Sequence, residues 1–307
     1  MTNLNFHRLS AADRDLYEKY YALSGTELTD LTFSCRISWD PVFRTEVAFY
    51  SDTCLMISDG GGYTDPHLLM PLGDYDSNKL DAILLLVEEV FRSRGWKLKI
   101  MCIDESKTDI FRSLKHFTCD LAFSEDASDY VYDAESLRLL VGNQLHKKRN
   151  HVNKFVRTYP NSEYKSLTGA DKEECLRLVR RWCESKGIDP DDKNESDYRM
   201  IDALFEMYDQ LDLRGGMIRI DNEARAFSVG HLGNHKTAFI HFEKADPAYD
   251  GIYSAINQFV LKSEFPEALL VNREEDLGIP GLRKAKQSYF PLFLRKKFKT
   301  WPQHKYE

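Results

Sequence analysis

Leu9-Ser10-Ala11-Ala12-Asp13 and Leu167-Thr168-Gly169-Ala170-Asp171 are one short phrase written twice. Each stands between a run that reads as a strand and a run that reads as a helix. Ser10 and Thr168 suit the N-cap position, where a side-chain oxygen takes a backbone N–H that the first turn leaves open, and the acid follows in that turn. Working outward, Asn5 to Leu9 predicts a strand and Leu16, Tyr20 and Leu23 a helix. Val42 to Tyr50, Thr53 to Ser58 and His67 to Leu72 follow as strands, with Gly60-Gly61-Gly62 turning the chain. Asn78 to Gly95 has the stripe of an amphipathic helix, and Trp96 to Ile103 reads as a strand. The second half repeats the order. Glu46 to Asp52 is mirrored by Gly216 to Asp221, and His67 to Asp74 by Ala238 to Asp246. A helix carrying Ile252, Ile256, Phe259 and Val260 comes next, then the strand Ala268 to Val271. So long a period means tandem domains, not a solenoid. Each unit reads strand, helix, three strands, helix, strand, which is an α/β layer (α+β) on a mostly antiparallel mixed sheet. The join is expected near Asp133, giving domains 1–133 and 134–307.

A chain of 307 residues with 42% hydrophobic and 12% aromatic content can bury two cores. Its best apolar run, Ala82 to Val87, falls far short of the roughly 20 residues that span a bilayer, and no apolar signal core opens the sequence. Cys35, Cys54, Cys102, Cys119, Cys175 and Cys183 lack metal-ligand spacing, so they read as reduced, buried side chains of a cytoplasmic protein with no metal site. Net charge is −7, yet Ser136 to Ser162 and Leu277 to Tyr306 contain no acid at all. Basic segments in an otherwise acidic chain point to an anionic partner. Nucleic acid, a phosphorylated ligand and an anionic membrane surface all fit that charge.

Chemistry-bearing residues gather in Val271 to Phe298, VNREEDLGIPGLRKAKQSYFPLFLRKKF. A strand end hands over to Asn272, Arg273, Glu274, Glu275 and Asp276. Gly278, Pro280 and Gly281 turn the chain, and a helix carries Arg283, Lys286 and Tyr289 until Pro291. A solvated turn ahead of a basic helix has the same composition. Upstream, His241 and Glu243 alternate on a strand and are expected to share one face, with Asp246 following. Ala134 to Tyr159 predicts one helix, striped by Leu137, Val141, Leu145, Val152 and Phe155. Lys147, Asn150, Lys154 and Arg157 lie at helical spacing on another face, where they can follow a phosphate backbone. Cys183 reads as core, and no Ser-His-Asp order is present.

The ending Lys286-Gln287-Ser288-Tyr289-Phe290-Pro291 resembles the F-K-x-x-F-x-P helix of the phosphatidylglycerol lysyltransferase C-terminal family, also known as DUF2156. The helix with Lys147, Asn153 and Lys154 is similar to one before the second repeat of Fem-type peptidyltransferases. The tandem order looks like a duplicated GNAT fold. His241 to Asp246 and Asn272 to Gly278 resemble the short branch of the lysyltransferase-like group. The resemblance implies transfer from an aminoacyl-tRNA to an amine or hydroxyl of a small-molecule, peptide or lipid head-group acceptor, with no cofactor beyond that donor. It implies that Lys286 meets the tRNA 3′ end or the developing oxyanion, that Glu275 or Glu243 accepts a proton, with His241 beside them, and that Tyr289 donates one. Arg273, Asn272, Arg283, Lys147, Asn150, Lys154 and Arg157 would hold substrate, and replacing Lys286 by Ala would leave the fold intact. Acyl-CoA members wrap a pyrophosphate with R/Q-x-x-G-x-G/A. Here Ala248 and Tyr253 replace its first and last residues and Asp250 adds a negative charge, which disfavours acyl-CoA. An acyl-CoA N-acyltransferase with a degenerate loop and a non-catalytic RNA- or anion-binding module are the alternatives.

Overall fold

The computed structural model describes residues 4–192 and 197–305. Met1–Ser128 with Arg295–Glu307 forms one compact unit and Asp129–Leu294 the other. The first unit's sheet runs His7–Arg8, Glu46–Tyr50, Thr53–Ser58, His67–Leu69, Ile100–Asp104, Lys297–Thr300, Ala122–Phe123. The second runs Glu163–Ser166, Arg214–Ile220, Glu223–Leu232, Thr237–Ala245, Leu270–Asn272, Asp129–Asp133, Phe293–Arg295. Each sheet has the same internal grammar. Its fourth and fifth strands pair in parallel, across a helical crossover, and the fifth then pairs antiparallel with the sixth. The mixed α/β fold expected from the sequence is present in both units.

The boundary is corrected by these pairings. Asp129–Asp133, placed before the join by the sequence, bonds to Leu270–Asn272, and Lys297–Thr300, placed after it, bonds to Ile100–Asp104. Strand membership is decided by which sheet edge is open, and that edge can lie far away in sequence.

The twin capping phrases fold alike. Asp13 Oδ2 accepts from the Ser10 N–H at 2.9 Å, and Asp171 Oδ2 from the Thr168 N–H at 2.9 Å. In the first of the two helices the buried face is Tyr17, Tyr20 and Tyr21, while Leu16 and Leu23 are exposed. Two further local expectations fail. The strand expected from Val42 begins only at Glu46, and Val42 itself lies in the helix Asp40–Phe43. The single helix expected over 134–159 is two, Ala134–Leu139 and His146–Thr158. Leu140 (φ 50) and Gly142 (φ 78) take left-handed backbone between them, which ends the i→i−4 ladder.

In the second unit the helices Ala134–Leu139, His146–Thr158 and Ile252–Ser263 cover one sheet face around Tyr132, Leu137, Phe155, Ile256 and Val271. Five cysteines are buried and Cys102 is half-buried, and no disulfide joins any two of them. No helix among the described residues is long and apolar enough to cross a membrane. Gly251, N-cap of Ile252–Ser263, has φ 84, and an added Cβ would lie 2.4 Å from the His151 carbonyl oxygen. Gly251→Ala is therefore expected to destabilise the chain by roughly 2–4 kcal/mol in chemical denaturation, combining left-handed strain with a backbone clash.

Candidate functional site

Thr237–Ala245 and Leu270–Asn272 stay paired only from Thr237↔Leu270 to Phe239↔Asn272 and then part. Past that point the backbone ladder between the two strands ends, and side chains bridge the gap. Arg273, the first residue beyond the short strand, donates from Nη2 to Glu243 Oε1 at 2.9 Å across the gap. Asn257 of the covering helix donates to Glu243 Oε2 at 3.1 Å. The Arg273 guanidinium lies 4.8 Å from the Tyr289 ring centroid and 5.9 Å from that of Tyr132. Tyr289 reaches Ser254 Oγ at 3.4 Å, and burial pushes its phenol up, so the hydroxyl stays protonated.

Lys148 completes the cluster. Its ammonium sits 3.9 Å from the centroid of the same Tyr289 ring. Burial, and then repulsion from Arg273, lower this amine to about 8, against the attraction of Glu243. Beside Tyr289 a cavity of about 350 Å³ opens, walled by Tyr132, Leu137, Val141, Leu145, Phe290 and Leu292.

A β-bulge separates the two residues expected to share a face. Val229 pairs with Phe242 and Gly230 with Ile240, leaving His241 unopposed. The alternation is lost, and His241 meets partners different from those of Glu243. Its Nδ1 lies 3.1 Å from Glu274 Oε1 and its Nε2 lies 2.8 Å from His231 Nδ1. Burial pushes the imidazole down to about 4, so it is neutral at pH 7. The carboxylate fixes the proton on Nδ1, and Nε2 then accepts from the His231 N–H. His231 and His241 stack with ring centroids 5.0 Å apart.

The remaining residues of the loop hold its shape. Asn272 donates to Asp129 Oδ2 at 2.9 Å and accepts from the Glu274 N–H at 2.8 Å, supporting φ 58 at Glu274. The Glu275 carbonyl accepts from the Lys286 ammonium, as does the Arg273 carbonyl at 2.5 Å. Lys286 is buried, and burial lowers its pKa against the pull of Glu275 and Glu274. Its helix is tied to the opening strand by the Tyr132 hydroxyl, which donates to the Lys286 carbonyl at 2.9 Å. The expectation that Lys286→Ala spares the fold does not hold, since it strips two carbonyls of a buried donor. Arg283, expected at substrate, forks onto Asp276 at 2.6 and 2.9 Å. On the helix His146–Thr158, Lys147 and Arg157 stay exposed, Asn150 bonds to His146 at 3.2 Å, and Lys154 pairs with Asp250 at 2.5 Å.

Of the residues singled out from the sequence, the fork thus gathers Glu243, Arg273 and Tyr289. Lys148, Asn257, Ser254 and Tyr132 were missed. Lys148 alone carried a signal, because it falls on the stripe Leu145, Val152, Phe155 where a charge is out of place.

Residues 26–299 match the family described as phosphatidylglycerol lysyltransferase, C-terminal. The chain belongs to that family. A crystal structure of a conserved protein of unknown function from Bacteroides thetaiotaomicron is similar at TM-score 0.89 and 29% identity, over 98% of this chain and 100% of that one. The C-terminal domain of a putative lysylphosphatidylglycerol synthetase from Agrobacterium fabrum shares the family's fold at TM-score 0.63 and 12% identity, over 95% and 92% of the two chains. FemX does so at TM-score 0.63 and 11% identity, over 96% and 97%. An uncharacterized protein of Mycoplasmoides gallisepticum is 24% identical over 180 residues, which span 57% of this chain and 56% of that relative.

Asp276 gives the loop a measurable acid limit. Beyond the Arg283 fork it accepts from the Tyr130 hydroxyl at 2.6 Å and the Gly278 N–H at 2.8 Å, and these hold its carboxyl at about 2. A depressed carboxylate stabilises the fold above its unfolded value near 4 and loses that contribution as pH falls towards 2. About 2–3 kcal/mol is at stake. Urea denaturation at pH 7 is expected to show Asp276→Asn weaker by roughly that amount, with the two chains converging as the pH approaches 2.

Proposed function

We propose that this protein is an aminoacyltransferase that moves an aminoacyl group from an aminoacyl-tRNA to an amine or hydroxyl acceptor. The observation that carries the reading is the fork, where a half-buried Arg273–Glu243 pair, the Tyr289 phenol and the Lys148 amine surround one gap between parallel strands. Membership in a lysyltransferase family supports the reaction class, and the FemX likeness supports the fold on which it would run. Acyl transfer from an ester needs a donor group where charge develops on the carbonyl oxygen, and a guanidinium held on both sides needs no reorganisation to supply it. The cavity beside Tyr289 offers room for an aminoacyl or acceptor group. Lys286 acts by fixing the carbonyls of the loop that presents Arg273.

The site where an acyl-CoA pyrophosphate would lie on this fold supports the tRNA donor over CoA. Asp250 puts an acid there, paired to Lys154, and Gly251 lies against the His151 carbonyl. An acid and a close backbone carbonyl thus stand at the helix start where a pyrophosphate would need open N–H groups, although Lys154 offsets the acid's charge.

Product formation from a mixed pool of charged tRNAs, read by mass spectrometry, is expected for the unaltered chain. Arg273→Met is expected to lower turnover by about 100-fold or more. Equal turnover by the variant removes Arg273 from the chemistry. The exposed bases make a separate claim, since Lys147 and Arg157 would lie along a phosphate backbone. The double variant Lys147→Ala/Arg157→Ala is expected to reduce the slope of log affinity for tRNA against log salt by roughly 1.5.

A further inference from the structure

We infer that Lys148 is the proton acceptor of the transfer, its side-chain amine taking the proton that the acceptor's amine or hydroxyl loses on attacking the donor's ester carbon. The inference rests on the aminoacyltransferase reading and goes beyond it by naming the base.

The carboxylates at the fork are already engaged. Both oxygens of Glu243 accept hydrogen bonds, one from Arg273 and one from Asn257, so protonating it would break the ion pair that spans the strands. His241 is neutral, but its two ring nitrogens face Glu274 and His231. The Tyr289 phenol is held protonated by burial. Lys148 differs from all three. It is half-buried, it projects from the core-facing stripe of its helix beside Leu145, Val152 and Phe155, and its nitrogen rests on the Tyr289 ring. Leu145, one turn earlier, lines the cavity, as does Tyr289. The groups that face Lys148 are Arg273 from the loop, Glu243 from the long strand and Tyr289 from the turn that follows the last helix, Pro280–Gln287. Lys147, Arg149 and His151 flank it on its own helix. Burial, and the Arg273 cation against a Glu243 acid already paired to it, bring the amine to about 8, so that a fraction is free at neutral pH and can take a proton.

The step balances. The acceptor's nitrogen or oxygen forms a bond to the ester carbon while its proton passes to Lys148. The bond from that carbon to the donor's ribose oxygen breaks, and the leaving oxygen takes the proton back from the Lys148 ammonium. No other reactant is consumed.

Two measurements on the full chain test this. Competitive labelling of lysines with acetic anhydride across pH 6–11, read by mass spectrometry, is expected to show Lys148 half-reactive at about 8. Turnover with the charged-tRNA pool is expected to fall by about 100-fold in Lys148→Arg, whose charge cannot be removed, with tRNA affinity unchanged. Lys148→Ala is expected to fall similarly and to be partly restored by free ethylamine. Labelling half-maximal above roughly pH 10, the range of an ordinary lysine, overturns the inference and leaves the transferase reading standing. Turnover by Lys148→Arg within about threefold of the unaltered chain does the same. No product from any charged tRNA with the unaltered chain overturns both.

Discussion

A pair of parallel strands that separates before it ends leaves backbone and side-chain polar groups with no ladder to complete them. In the second unit that condition arises just past Phe239 and Asn272, and the neighbouring structure answers it with charge. The Arg273–Glu243 side-chain ion pair bridges the gap on one side, and Glu274, His241 and His231 make a hydrogen-bonded chain on the other. The last helix is anchored to the same loop through Lys286 and Asp276. A gap held open by polar groups, each with its partner fixed, is preorganised, and preorganised charge is what acyl transfer draws on. The fork therefore links the geometry of the sheet to its chemistry.

Most cations of the acid-free segments are not available to a ligand. Arg295 pairs with Glu27, Lys296 with Glu105 at 2.7 Å and Lys297 with Asp30, while Arg283 is held by Asp276. Arg138 donates to the Phe265 and Ala268 carbonyls at 3.0 and 2.9 Å, and Arg149 to that of Leu140 at 2.6 Å. Local composition overstates a basic surface whenever the balancing acids are distant in sequence. What survives is smaller, and on the helix His146–Thr158 it centres on Lys147 and Arg157.

The order of strands and helices was legible because capping phrases, stripes and glycine turns are local signals, and they recur in both halves. Three things were not. The helix break at Leu140 and Gly142 was hidden by an apolar stripe that ran on across it. The bulge at His241 depends on the partner strand, so simple alternation put His241 and Glu243 together when they belong apart. Lys148 stood in the sequence as one more base in a basic run, although its spacing from Leu145 and Val152 marks a charge directed inward. Arg273, Glu243 and Tyr289, which the structure brings together at the fork, drew notice in the sequence because charged and phenolic groups stand out at strand ends and beside turns. Asn257 and Ser254, inside an apolar helix, had nothing to distinguish them.

The exchange of sixth strands has a consequence for synthesis. The strand Lys297–Thr300 fits between Ile100–Asp104 and Ala122–Phe123 in a sheet whose other long strands are drawn from residues before 105. As the chain leaves the ribosome, that sheet must wait with Ile100–Asp104 uncovered along one side while the whole of Asp129–Leu294 is made. An unpaired strand edge is an invitation to bond with neighbouring chains. The nascent protein is thus most exposed to aggregation late in translation, and a gene divided between the two units leaves the first half permanently lacking its closing strand.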